Sequence, residues 1–254
     1  LSFSREHFLT EAKRIIDFCQ ERKVTVRLLG ALAFYHHCPR YNYLQDTLKR
    51  VFTDIDLAAR SEEGERIREV FKALGYQEDM EVRVLYGTGR LVFNHPNGLH
   101  CDVFLDCLDF CHVIPLRDRL DVDFPTIPLA ELFMEKMQIV KLNEKDIIDT
   151  IMIIREHGIG EEDTEIINAK LIARRCAQDW GLWKTITMNL DKVSQKLEQY
   201  RAQLREEDYE DVTQKIAAIR RYIEKEPKSL AWKMRSKIGE RVKWYKEVDE
   251  LPQA

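Results

Sequence analysis

Apolar residues recur at helical spacing between residues 5 and 20, where Phe8, Ala12, Ile15, Ile16 and Cys19 share one face. The period then shortens. The stretch "VTVRLLG" at 24–30 predicts a strand, and "ALAFYHHC" behind it a short helix stopped by Pro39. After a polar connection, "TDIDLAA" predicts a second strand. The following "SEEGERIREVFKALGY" predicts a helix with Ser61 as its cap, three glutamates at its positive end and Gly75 at its stop. Next, "EVRVLY", "RLVFNH" and "LHCDVFLD" read as three strands, divided by the turn signals "GTG" and "PNG". From about Pro128 strand signals disappear. Helical patterns run through 129–142, 144–157, 163–178, 180–203, 206–226 and 229–247, with Gly158, Gly160 and Pro227 as breaks. This order predicts an α/β unit with a mixed sheet over 1–127 and a helical C-terminal half over 128–254. No repeat or low-complexity linker separates them, so close packing of the two parts is expected.

Composition narrows the class. A chain of 254 residues can bury a sizeable core, and 44% apolar with 33% charged residues describes a soluble globular protein. A net charge of -4 argues against a general nucleic-acid coat while permitting local basic patches. The six cysteines sit singly, with no secretory leader ahead of them, which predicts reduced thiols and a cytoplasmic setting. No apolar run approaches the length of a membrane span, so no membrane partner is expected.

Against this background one stretch stands out. In "RVFTDIDLAAR" the period of two puts Asp54 and Asp56 on one strand face and the apolar Ile55 and Leu57 on the other. Two like charges roughly 6–7 Å apart repel unless water or a cation lies between them. The alternatives are a solvated sheet face and a shared divalent metal. In "LHCDVFLD" Asp102 likewise points away from the apolar face of Cys101, Val103 and Leu105. Were the two strands neighbours, Asp54, Asp56 and Asp102 would converge into a hard oxygen-ligand set suited to Mg²⁺ or Mn²⁺.

Three further positions bear on this. Gly30 and Ala31 follow the first strand and open a helix, where unpaired backbone N–H groups would suit a phosphate; the other reading is an ordinary strand-to-helix turn. Lys136 falls near the centre of the apolar face formed by Leu129, Leu132, Phe133, Ile139 and Val140. It needs an acidic or phosphate partner, or a route for its ammonium group to solvent. Asp146 and Asp149 lie together opposite Ile147, Ile151 and Ile154, where acids are usually solvated.

A Gly-small turn after a first strand ("LLGALA"), an Asp-x-Asp strand ("TDIDL") and a third aspartate on a later strand ("CDVF") resemble the DNA polymerase beta-type nucleotidyltransferase superfamily. With Arg50 ahead of the acids and "EKMQIV" and "EKDIIDTIMII" behind them, the chain looks like the branch holding AbiEii-type toxins and related bacterial proteins. The likeness spans about residues 20–157. It implies a nucleotidyltransferase fold and in-line attack by an acceptor hydroxyl on the α-phosphorus of a nucleoside triphosphate. By the same resemblance Asp54, Asp56 and Asp102 hold metal, with Asp102 also helping to deprotonate the acceptor. Lys136 neutralises phosphate, and Gly30, Ala31, Arg50, Lys136 and Asp149 bind nucleotide. Ala31 departs from the Gly-Ser or Gly-Gly common in the family and has no hydroxyl for a phosphate. The acceptor, whether RNA, protein or a small alcohol, is not specified.

Two rival readings remain. Cys101, Cys107, Cys111 and His112 lie close in sequence, but their spacing lacks the Cys-x-x-Cys knuckle of a zinc site. The stretch 228–248 is basic, with Trp232, Trp244 and Tyr245 interleaved. It reads either as an amphipathic helix with aromatics inward, or as an RNA-binding segment on a fold that has lost its chemistry.

Overall fold

The computed structural model describes residues 3–47, 52–86 and 89–248. Eleven α-helices and nine short or medium strands lie within them. The first helix, α1 (Arg5–Glu21), starts where the Ser4 side chain accepts the His7 N–H, and its apolar stripe is buried. There follow β1 (Val26–Leu29), α2 (Gly30–His37), α3 (Tyr43–Thr47), β2 (Ile55–Ala59), α4 (Gly64–Ala73), β3 (Gln77–Glu78), α5 (Met80–Tyr86), β4 (Arg90–Asn94) and β5 (His100–Leu105). A small hairpin, β6 (Cys107–Asp109) and β7 (Val113–Pro115), leads into the helical half. That half contains α6 (Leu129–Met137), α7 (Glu144–Glu156), β8 (Gly158–Gly160), β9 (Ile166–Asn168), α8 (Ala169–Gln178), α9 (Trp180–Tyr200), α10 (Glu206–Lys225) and α11 (Leu230–Ile238).

The main sheet has the order β1-β2-β5-β4-β3 and is mixed: β2 and β5 run parallel, and the other pairs are antiparallel. One face carries Ile55, Leu57, Leu91, Phe93, Cys101 and Val103, all buried. Phe71 of α4 stacks on Phe93 with ring centroids 4.1 Å apart, so α4 covers this face. The opposite face carries Asp56, Asp102 and Phe104; α2 packs on this side of the sheet, and α6 and α7 pack against α2. A continuous apolar cluster runs from Phe8 to Ile223 and joins residues on both sides of Pro128. Among the described residues no helix is long and apolar enough to cross a membrane.

Several expectations are corrected. The stretch "EVRVLY" is the helix α5, because the Asp79 carboxylate accepts the N–H groups of Glu81 and Val82 and caps it. Its alternation buries little, since Val84 is 82% exposed. Ser61 opens a single tight turn ahead of α4 without capping it; its own N–H is taken by Asp106. Strands do not cease at Pro128, for β8 and β9 pair in parallel. The last predicted helix ends early at Ile238, where Gly239 adopts φ +60°; a single tight turn over Gly239–Arg241 follows, and the chain beyond has no regular structure as far as 248. The "GTG" turn falls mostly outside the described residues, as does Arg50.

Candidate functional site

Pairing of β2 with β5 brings together two aspartates that lie 46 positions apart in the chain. Asp56 and Asp102 are in-register partners on neighbouring parallel strands and therefore share a sheet face. Asp54 sits one residue before β2, half-buried, where its carboxylate accepts the Thr53 hydroxyl at 3.2 Å. Leu29, the last residue of β1, is the partner of Asp56 on its other side. The next residue, Gly30, has φ +67°, and a Cβ there would collide with the Asp56 carboxylate. Glycine at this turn thus makes room for the acid. Its N–H is not free for a phosphate as the sequence suggested, because it donates to Glu135 Oε2 at 3.0 Å. Ala31 follows, buried within the first turn of α2.

Charge is unevenly distributed here. Burial, then repulsion from Asp54, Asp102 and Glu135, pushes the Asp56 carboxyl well above the usual carboxylate range. Asp102 goes the other way. Burial alone would raise it, but His100 and Arg90 outweigh that and hold it below its ordinary value. Arg90 grips it in two-pronged fashion, Nη2 to Oδ2 at 2.6 Å and Nε to Oδ1 at 3.1 Å, while its guanidinium lies over the Phe104 ring. His100 in turn is raised by that same aspartate. The resemblance gave Asp102 a proton-accepting role. A carboxylate clamped by arginine is a poor proton acceptor, and Asp56 has the more basic environment.

Lys136 finds the acidic partners that its place in the apolar stripe required. Its ammonium lies 2.7 Å from Glu135, 3.8 Å from Asp146 and 4.0 Å from Asp149, and 5.5 Å from the centroid of the Phe34 ring. Burial alone would discharge it, but these carboxylates more than compensate and keep it protonated. Asp149 is fully buried and accepts from Gln45, contrary to the solvated face expected of it. Asp146 closes a capping box with Asn143 that starts α7.

Asp56, Glu135, Lys136 and Asp146 line a cleft of about 230 Å³ together with Asn143 and five apolar residues. Sites that enclose a whole small molecule run to roughly 300–1,000 Å³, so this one encloses part of a ligand. Glu135, Arg90 and Phe104 were missed from sequence. Glu135 carried a signal, as an acid beside a lysine inside the apolar run "LAELFMEKM"; Arg90 and Phe104 became relevant only through strand pairing.

Among the described residues no three His, Cys, Asp or Glu side chains are arranged to hold a metal ion. That applies to Cys101, Cys107, Cys111 and His112, which removes the support for zinc. It applies also to the three aspartates as they stand, because Arg90 engages Asp102. Asp54 and Asp56 fit a hard divalent cation by donor chemistry, and the surplus negative charge around Asp56 is what such an ion would relieve. Both Asp102 oxygens accept from Arg90 in this structure. No family model, curated protein or solved structure matches the chain.

Proposed function

We propose that this chain is a nucleotidyltransferase of the polymerase beta type that uses Mg²⁺ or Mn²⁺. It would move a nucleoside monophosphate from a nucleoside triphosphate to an acceptor hydroxyl. The observation that carries this reading is the in-register pairing of Asp102 with Asp56, which lines a cleft, with Asp54 two residues from Asp56 in the chain and Gly30 opening space for the Asp56 carboxylate. A bond forms between the acceptor oxygen and the α-phosphorus, the bond to the bridging oxygen breaks, and pyrophosphate leaves with the electron pair. The divalent ion, when bound, supplies charge neutralisation to the phosphates. Lys136 is positioned to add to that neutralisation from the cleft wall, Asp54 and Asp56 would hold the ion, and the acceptor proton passes to solvent.

Calorimetric titration of each common nucleoside triphosphate with Mg²⁺ tests this, using the wild-type chain and an Asp54→Ala/Asp56→Ala variant. Metal-dependent binding lost in the variant, with pyrophosphate release by the wild type, supports the reading. Equal binding by both chains sinks it.

A second reading, a fold that binds RNA without chemistry, draws support from Lys233, Lys237 and Arg241, which make no ion pair among the described residues. Its stacking component loses support. Trp232 packs edge-on against Trp183 and Trp244 against Trp180, so both rings are engaged with the protein. Salt-sensitive RNA binding abolished by Lys237→Glu/Arg241→Glu would favour an RNA-binding role for this segment.

A further inference from the structure

After α11 the chain doubles back as a strap, residues 242–248, across the end of the molecule that carries the cleft. Contacts from Trp244 and Lys246 pin it. The Trp244 indole N–H donates to the Thr185 hydroxyl at 3.0 Å, which also bonds the His112 ring at 2.8 Å. The Trp244 carbonyl lies so close to Gly181 that a Cβ there would be 2.5 Å from it. The Lys246 N–H donates to the Cys111 carbonyl at 3.0 Å, and its ammonium pairs with both oxygens of Asp109 at 2.5 and 2.8 Å. These contacts tie the strap to α9 and to the β6–β7 hairpin, the same hairpin whose turn presents Phe110.

Two residues past Lys246, Val248 reaches the wall of the cleft. There it lines the cleft with Phe110, Phe104 and Ile139, alongside Asp56, Glu135, Lys136 and Asp146. Phe104 and Phe110 meet edge to face with centroids 5.3 Å apart. The cleft lining is therefore mixed in chemistry, with charge from Asp56, Glu135, Lys136 and Asp146 and an apolar, partly aromatic shelf from Phe104, Phe110, Ile139 and Val248. A nucleoside triphosphate combines the same two chemistries, in its phosphates and its base.

We infer that the C-terminal strap is a base-binding element of the cleft, with Val248 completing an apolar shelf that takes the nucleobase while the charged lining residues face the phosphates. This rests on the nucleotide reading above and adds to it a residue and a segment outside the region that resembles the nucleotidyltransferases. The strap is held by side-chain and backbone contacts on α9 and the hairpin, so loosening those contacts displaces Val248 without touching the carboxylates.

The test compares two probes with Mg²⁺ in excess: a nucleoside triphosphate, and inorganic tripolyphosphate, which carries the charge without the base. Val248→Asp puts a charge on the shelf, and Lys246→Glu sets a repulsion against Asp109 that lifts the strap. Each is expected to weaken nucleotide binding about tenfold, the order that a lost base contact carries, and to leave tripolyphosphate binding unchanged. Gly181→Ala, which crowds the seat of Trp244, should repeat the pattern more weakly and guards against one variant misfolding. Urea unfolding confirms that the variants fold. Nucleotide and tripolyphosphate bound equally by wild type and variants would overturn the shelf while leaving the phosphate site standing. Failure of the wild type to bind either probe would overturn the nucleotide reading, and the shelf with it.

Discussion

The two faces of the five-stranded sheet are built from the same strands and differ in almost every physical respect. On one, Ile55, Leu57, Leu91, Phe93, Cys101 and Val103 are buried against neighbours of their own kind, with Phe71 stacked on Phe93. On the other, Asp56 and Asp102 stand side by side and Arg90 is drawn onto Asp102. The first face removes apolar surface from water, which stabilises the fold in proportion to area. The second holds like charges at short range, which opposes folding unless something else is gained. Stability and chemistry are thus separated by the thickness of one sheet, and substitutions on the two faces should behave in opposite ways.

The largest effect belongs to the apolar face. Phe93→Ala should cost about 3–5 kcal/mol, through lost transfer energy and the cavity left beside Phe71. Urea denaturation measures it, and the folded fraction should still bind nucleotide with unchanged affinity. Next comes the turn between the faces. Gly30→Ala forces a side chain into φ +67°, which costs about 1–3 kcal/mol in backbone strain. It also pushes its methyl into the Asp56 carboxylate. That variant should lose both stability and metal-dependent nucleotide binding. If Gly30→Ala bound nucleotide normally, the close approach of Asp56 to this turn would have no functional meaning.

Sequence alone carried the apolar face well and the charged face in part. Alternation in "TDIDLAA" and "LHCDVFLD" told which residues point inward, and hence that Asp56 and Asp102 share a face once the strands are neighbours. The resulting sheet is mixed, as read. What local patterns could not convey was the company each charge keeps. Lys136 was legible as a misplaced cation, yet its partners Asp146 and Asp149 come from the next helix, and Asp149 had looked solvated. Arg90 meets Asp102 only through the β4–β5 register, and Gly30 gives its N–H to an acid 105 residues away. The helix α5 was misread because alternation suits a strand and a capped helical turn alike, and the Asp79 cap decided between them.

A pH titration bears on a third region, where the helical half meets α2. His37 is buried, with its ring on the Thr126 hydroxyl at 2.5 Å and its carbonyl accepting from His157. Burial, then repulsion from His157 and His36, pushes it down to about 3. A folded-state value below the ordinary 6.5 means that the unfolded chain binds the proton first. Stability is therefore full at neutral pH and falls as the pH drops below about 6.5, until the folded form also protonates near 3. Between pH 6.5 and 5 the loss should approach about 2 kcal/mol. His112, lowered mainly by burial, works in the same direction; Asp123, 3.4 Å from the His37 ring, works against it. Urea midpoints at pH 7 and pH 5 measure the slope, and His37→Gln should flatten it. An equal slope in that variant would place the acid sensitivity elsewhere.

The smallest expected change in stability is the most informative about the charged face. Asp56→Asn keeps the shape of the side chain and removes its charge. Because the folded chain holds this carboxyl above its ordinary value, the ionised form opposes folding at neutral pH. Removing it should leave the unfolding free energy from urea titration unchanged or raise it by about 1 kcal/mol, as when an unfavourable buried charge is replaced by a neutral group. Mg²⁺ should raise the wild-type midpoint, by binding the folded state alone, and have no effect on the variant. The two chains therefore cross: the variant is at least as stable without metal and the less stable with it. A loss comparable to Phe93→Ala would mean that Asp56 is a structural residue like those on the opposite face, and that the sheet does not divide stability from chemistry.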